Sequence, residues 1–125
     1  MTVIIEATDA TPKVILDFVS HNILISGESY PEDVNIFYGP IIEQIDGYLK
    51  STQGQTIHID INLKYFNSSS NKIFYNLFQM LESATENNTI VVNWRYAEED
   101  DMSLETGESF KEDVEHLTFN LISYA

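Results

Sequence analysis

Three consecutive hydroxyls, Ser68, Ser69 and Ser70, sit in "YFNSSSNKIF" between an alternating apolar run and a run with helical spacing. Serines at such a junction can do one of three things. One can cap the helix, its oxygen accepting from a backbone N–H that a helix start leaves unpaired, with its two neighbours solvated. One can carry a phosphate, for which a helix N-terminus supplies donors and the positive end of the dipole. That modification adds about −1.5 to −2 charges and three strong acceptors at one surface point. The third use is as a nucleophile, which needs a base within hydrogen-bond reach. His21, His58 and His116 are the candidate bases, yet none sits in a recognisable local motif, and "FNSSSN" lacks the glycines of a G-x-S-x-G elbow.

Other residues invite the same weighing. "AEEDDMSLETGE" gathers Glu98, Glu99, Asp100, Asp101, Glu105 and Glu108. Hard cations favour carboxylate oxygens, but the alternation and central glycine of a calcium-binding loop are missing. A solvated acidic segment is the simplest reading, and docking to a basic partner surface the next. No metal site is expected, and no cofactor. Glu32 and Asp33 form a carboxylate pair that a small enzyme could use, although "SYPED" reads first as a helix start. Tyr30, Phe37 and Tyr38 are either core or a partner-facing aromatic patch. Arg95 can pair with the acidic segment, receive a phosphate or form an ordinary surface ion pair. His58 reads as an exposed or edge histidine.

The chain that must position these residues has 125 amino acids, enough for one domain, and is 43% hydrophobic and 12% aromatic, enough for a substantial core. Twenty acidic residues against six basic ones give a formal charge of −14. That charge repels phosphate backbones and anionic lipids, so neither nucleic acid nor membrane is an expected partner. The absence of cysteine excludes disulfides, thiolate metal sites and cysteine nucleophiles. The N-terminus has no signal-peptide pattern, and no run approaches the roughly 20 apolar residues of a membrane span. The expectation is a soluble, cytoplasmic, single-domain protein.

Short β-branched runs at 2–7, 13–19 and 22–29 read as strands, the last two as a hairpin. "SYPEDV" starts a helix with Ser29 or Tyr30 at its head and Glu32 and Asp33 in its first turn. It runs to about Leu49, with a kink or restart at Gly39-Pro40. Clean alternation makes 55–66 a strand, with Ile57, Ile59, Ile61 and Leu63 on one face and His58, Asp60, Asn62 and Lys64 on the other. From Ser70 the period becomes 3.6, with Ile73, Phe74, Leu77, Phe78 and Leu81 on one stripe. The change of period puts Ser68 at the surface, within about two residues of a helix start. Residues 89–97 form a central strand, the acidic segment a loop plus a short helix, and 117–124 a last strand or extended edge. The order β-β-β-α-β-α-β-(α)-β predicts an α/β (α+β) domain: a mixed sheet of five to six strands with helices packed on it.

"ATDATPKVILDF", "GESYPEDVNIFYGPI", "LKYFNSSSNKIFYNLF", "VNWRYAEEDDM" and "ETGESFKEDV" together resemble the SiaC family of bacterial regulatory phosphoproteins, in the same order over nearly the whole chain. The resemblance implies a partner switch and no enzymatic activity. A dedicated Ser/Thr protein kinase would phosphorylate the chain and a PP2C-type phosphatase would restore it. The unphosphorylated form would bind and activate a diguanylate cyclase, raising cyclic di-GMP and promoting biofilm. In the family the modified hydroxyl directly follows the Asn of "YFN", which is Ser68 here, ahead of Ser69 and Ser70. Many relatives carry Thr at that position; serine keeps a phosphorylatable hydroxyl. The resemblance also implies a partner-binding surface of Tyr30, Pro31, Glu32, Asp33, Tyr65, Phe66, Asn67, Ser69, Glu99, Asp100 and Asp101. At the level of layout the chain resembles STAS-type anti-sigma-factor antagonists, which carry a phosphorylatable Ser between a strand and a helix. The alternatives are a protein-binding scaffold with the same fold and no phosphorylation, and a small serine- or carboxylate-dependent enzyme.

Overall fold

The computed structural model describes residues 2–125. Six strands and three helices follow one another as β1 (Thr2–Ile5), β2 (Lys13–Asp17), β3 (Asn22–Ser29), α1 (Val34–Ser51), β4 (Thr56–Phe66), α2 (Ser68–Ala84), β5 (Thr89–Ala97), α3 (Asp101–Glu112) and β6 (Thr118–Tyr124). The strands lie in the sheet in chain order. The first three pair antiparallel, and β3 to β6 pair parallel, each crossover supplied by one helix. The order of elements is the one the sequence patterning predicts.

Successive parallel strands added in one direction place right-handed crossover helices on one face. The alternation in the strands agrees. Ile57, Ile59, Ile61 and Leu63 of β4 join Ile90, Val92 and Trp94 of β5 in one buried cluster with Ile41 and Ile45 of α1 and Phe74, Leu77, Phe78 and Leu81 of α2. The opposite face carries polar side chains. There Arg95 donates to Asp60 at 3.0 Å, Asn120 to Asn93 at 3.0 Å and the Tyr124 hydroxyl to Asn62 at 3.1 Å. Arg95 therefore pairs within the sheet and not with the acidic segment. His58 lies half-buried on this polar face, on a central strand and not at an edge.

Three local expectations are corrected. Helix α1 begins later than "SYPED" suggests: Ser29 still belongs to β3, Glu32 precedes the helix, and Asp33 is its N-cap, accepting from the N–H groups of Asn35 and Ile36 at 3.0 and 3.2 Å. The helix does not restart at Gly39-Pro40 but runs on through both residues. Pro40 is exposed, so the carbonyl deprived of its usual N–H donor lies on the solvent side, where hydration replaces the lost bond. The acidic segment is mostly helix: Asp100 caps α3 through the Ser103 N–H, and Asp101 opens the first turn, where negative charge suits the dipole.

Helix α3 approaches β5 so closely that only glycine fits at 107. A Cβ there would stand 2.6 Å from Trp94 Cδ1 and 2.8 Å from Leu121 Cδ2. The same contact lets the indole N–H of Trp94 donate to the Ser103 carbonyl at 3.0 Å. Gly107→Ala should therefore destabilise the protein by about 1–3 kcal/mol through overpacking, read as a lowered urea midpoint with unchanged slope.

At the far end of α2, Glu82 fastens the segment before β6. Its carboxylate accepts from the N–H groups of Glu115, His116 and Leu117 at 2.9–3.2 Å and pairs with His116 Nδ1 at 2.7 Å. Burial pushes the Glu82 carboxyl up, but the Leu117 N–H, the His116 ring and the other two amides outweigh it and hold the group at about 2. The same pairing raises His116 above 6.5, the Glu82 hydrogen bond first and its charge second. The Glu82 contribution to stability is present above 4.5 and lost as pH falls towards 2. The His116 contribution is full below 6.5 and lost as pH rises through its raised value. The melting temperature of Glu82→Gln should fall furthest below that of the parent between those limits, with the gap narrowing on either side.

Candidate functional site: the carboxyl edge of the parallel strands

The parallel half of the sheet sends α1, α2 and α3 off from the same edge, at the carboxyl ends of β3, β4 and β5. In open α/β sheets ligands bind outside the carboxyl ends of the strands. The N-caps are Asp33, Asn67 and Asp100. Each belongs to the expected partner-binding surface, and each spends a side-chain oxygen on its own helix.

The three serines separate sharply. Only Asn67 stands between β4 and α2, and its Oδ1 accepts from the Ser70 N–H at 2.9 Å. The cap is thus the asparagine and not a serine. Ser68 and Ser69 are exposed on the first turn, as the change of period predicts for Ser68. Ser70 has no exposed surface. Its hydroxyl donates to the Ser29 carbonyl at 3.0 Å, and its oxygen lies 2.7 Å from Ser29 Oγ. Ser29 Oγ in turn lies 2.5 Å from the Tyr38 hydroxyl. Ser70 is therefore out of reach of any modifying enzyme. Tyr38, 1% exposed, belongs to the core and not to a surface patch. Burial pushes its phenol up to about 12, against a smaller opposing effect of the Ser29 bond, so it remains a donor.

Ser68 lies where two grooves meet. One holds Asn71, Lys72, Tyr75, Glu105 and Asp113. The other holds Lys64, Tyr65, Phe66, Asp100, Met102 and Thr106. Ser69 instead faces α1, beside Val34 and Asn35. No histidine lines either Ser68 groove among the described residues. His21 is bonded to the Tyr48 hydroxyl and His116 to Glu82. Ser68 accordingly has no histidine base beside it among the described residues.

The expected partner surface is assembled in part. Tyr30 and Tyr65 meet edge to face, with ring centroids 5.5 Å apart, and both are exposed. Glu99 and Asp101 are exposed on the same edge, and Pro31, Glu32 and Asp33 line a separate groove with Ile36 and Phe37. Phe66 turns inward onto Trp94, with centroids 5.9 Å apart. The most exposed apolar side chains of the edge, Ile36 and Met102, were not singled out in the sequence, nor was Lys72. Lys72 could have been found from its spacing, four residues after Ser68 on one helical face. Among the described residues no helix is long and apolar enough to cross a membrane, and no group of three His, Asp or Glu could hold a metal ion.

The buried and exposed serines should respond oppositely to truncation. Ser70→Ala strips the Ser29 hydroxyl of its acceptor inside the core and should cost about 1–3 kcal/mol. Ser68→Ala should stay within about 0.5 kcal/mol of the parent, as for most surface substitutions. Urea titration of the two variants checks both.

Comparisons with known proteins extend this geometry. A curated relative, an uncharacterized protein of Pseudomonas aeruginosa, is 29% identical over 110 residues, covering 87% of this chain and 86% of the relative. SiaC of Pseudomonas aeruginosa superposes with a TM-score of 0.89 at 25% identity, over 99% of both chains. A chain in the crystal structure of the diguanylate cyclase SiaD in complex with its activator SiaC, from the same organism, gives a TM-score of 0.90 at 26% identity, covering 98% of this chain and 99% of that one. The family model for SiaC family regulatory phosphoproteins matches residues 5–124. The chain belongs to the SiaC family of regulatory phosphoproteins.

Proposed function

We propose that this chain is a phosphorylation-controlled activator of a diguanylate cyclase, and that Ser68 is its switch. The unphosphorylated form binds and activates the cyclase, raising cyclic di-GMP in the cytoplasm and favouring biofilm. A dedicated Ser/Thr kinase adds phosphate to Ser68 and releases the cyclase; a PP2C-type phosphatase reverses it. The chain itself performs no catalysis. The observation that carries this reading is the exposed Ser68 hydroxyl on the first turn of α2, between two grooves at the carboxyl edge of the sheet. Family membership and likeness to an activator solved with its cyclase support the choice of partner.

Ser68 is preferred to its neighbours on physical grounds. Ser70 is buried, and Ser69 lies against α1, away from Tyr65 and Met102. Tyr30, Tyr65 and Met102 give a partner apolar area to cover, while Glu99, Asp100 and Asp101 suit basic residues at its rim.

Titration calorimetry against the cyclase tests the switch. Ser68→Ala should bind as the parent does, and phospho-Ser68 should bind more than tenfold more weakly, a loss above about 1.4 kcal/mol. Ser68→Asp should weaken binding less, having less charge and fewer acceptors. Equal affinities for the unmodified and phosphorylated forms would reduce Ser68 to an ordinary surface residue. Intact-mass measurement with kinase and ATP should give one phosphate-sized increase that Ser68→Ala abolishes.

A further inference from the structure

Cations are scarce in this chain, and half of them are already engaged. Lys13, Lys50 and Arg95 are held by Glu6, Asp46 and Asp60, whereas Lys64, Lys72 and Lys111 make no ion pair among the described residues. Two of the three free lysines flank Ser68, one in each groove. Lys72 stands with Asn71 in the groove between α2 and α3, opposite Glu105 and Asp113. Lys64 stands in the other groove with Asp100 and Met102.

We propose that Lys72, with Asn71 beside it, is the receiving site for a phosphate on Ser68, holding that group along α2 at the mouth of the α2–α3 groove. The proposal rests on the Ser68 reading above and names what the modified residue touches. Residues four apart on a helix are surface neighbours, and an anion N-terminal to a cation is the favourable order. A dianion on Ser68 meets Glu105 and Asp113 across the groove, so repulsion from α3 and attraction to Lys72 act in the same direction. The Asn71 amide, three residues on, adds a neutral donor. Lys64 lies on β4, before the helix, and so lacks the i,i+4 relation to Ser68 that Lys72 has. Fixed by Lys72, the phosphate stands at the mouth of a groove that a partner side chain would otherwise enter.

Phosphoserine installed at position 68 during translation allows a test that needs no kinase. Phosphorus NMR then follows the second ionisation of the phosphate, which ordinarily falls near pH 6. Replacing Lys72 by Gln should raise that midpoint by about half a unit, as expected for a helical i,i+4 partner facing a dianion. Lys64→Gln should leave it at the parent value. An unchanged midpoint in Lys72→Gln, or a larger shift in Lys64→Gln, overturns the assignment. Cyclase binding that ignores phospho-Ser68 would instead strike the proposed function and leave this measurement standing.

Discussion

The structure around Ser68 depends on a chain of three buried hydroxyls. Ser70 gives its single proton to the Ser29 carbonyl, so the short contact between Ser29 Oγ and Ser70 Oγ must use the proton of Ser29. Ser29 Oγ is then left to accept from the Tyr38 phenol, whose raised pKa keeps it protonated. Each hydroxyl donates once, and none is left unsatisfied. The Ser29 carbonyl also accepts the Asn67 N–H at 3.1 Å. One residue at the end of β3 thereby ties the first turn of α2 to Tyr38 of α1. Buried networks of this kind rigidify when complete and are costly when broken.

That rigidity shapes what Ser68 can do. It stands two residues before the anchored Ser70, on a turn whose other end is capped by Asn67. A charge added there cannot easily be absorbed by local movement of the backbone, and is presented to the surroundings at a fixed place. The sheet contributes the rest of the placement. Parallel pairing from β3 to β6 brings three helix starts to one edge, while the polar pairs on the bare face occupy one another. Residues 30–33, 65–69 and 99–101, distant in sequence, consequently share an edge.

Much of this was legible from periodicity. Alternation across 56–66 and helical spacing from Ile73 to Leu81 report directly which side chains face the core, so the elements and their order could be read. What could not be read depends on pairs far apart in the chain. Ser70 is polar and follows two exposed serines, and only its contact with Ser29, 41 residues away, makes burial tolerable. The caps of α1 and α2 differ from the expected ones for a related reason. Asp33 and Asn67 compete with equally suitable neighbours, and the exact residue at which a helix starts is decided by how the preceding strand ends. Helix α3 was underestimated because its apolar content is low; Gly107 and Phe110 are enough once Trp94 supplies the surface they meet.

Against an overall charge of −14, a further phosphate looks like a small addition. Distance decides otherwise. Exposed charges more than about 8–10 Å apart are largely screened at physiological salt, so most of the carboxylates do not act on a group at Ser68. What a partner meets there is the immediate lining: Tyr65, Met102, Asn71 and two lysines against a few acids. An uncharged serine can be covered by such a surface at small cost. A phosphate covered in the same way must lose its water, at a cost of several kcal/mol unless cations replace it. On the proposed reading, the sensitivity of the site to phosphate would come from desolvation at one rigid point, with the acidic remainder of the molecule setting only which partners approach it.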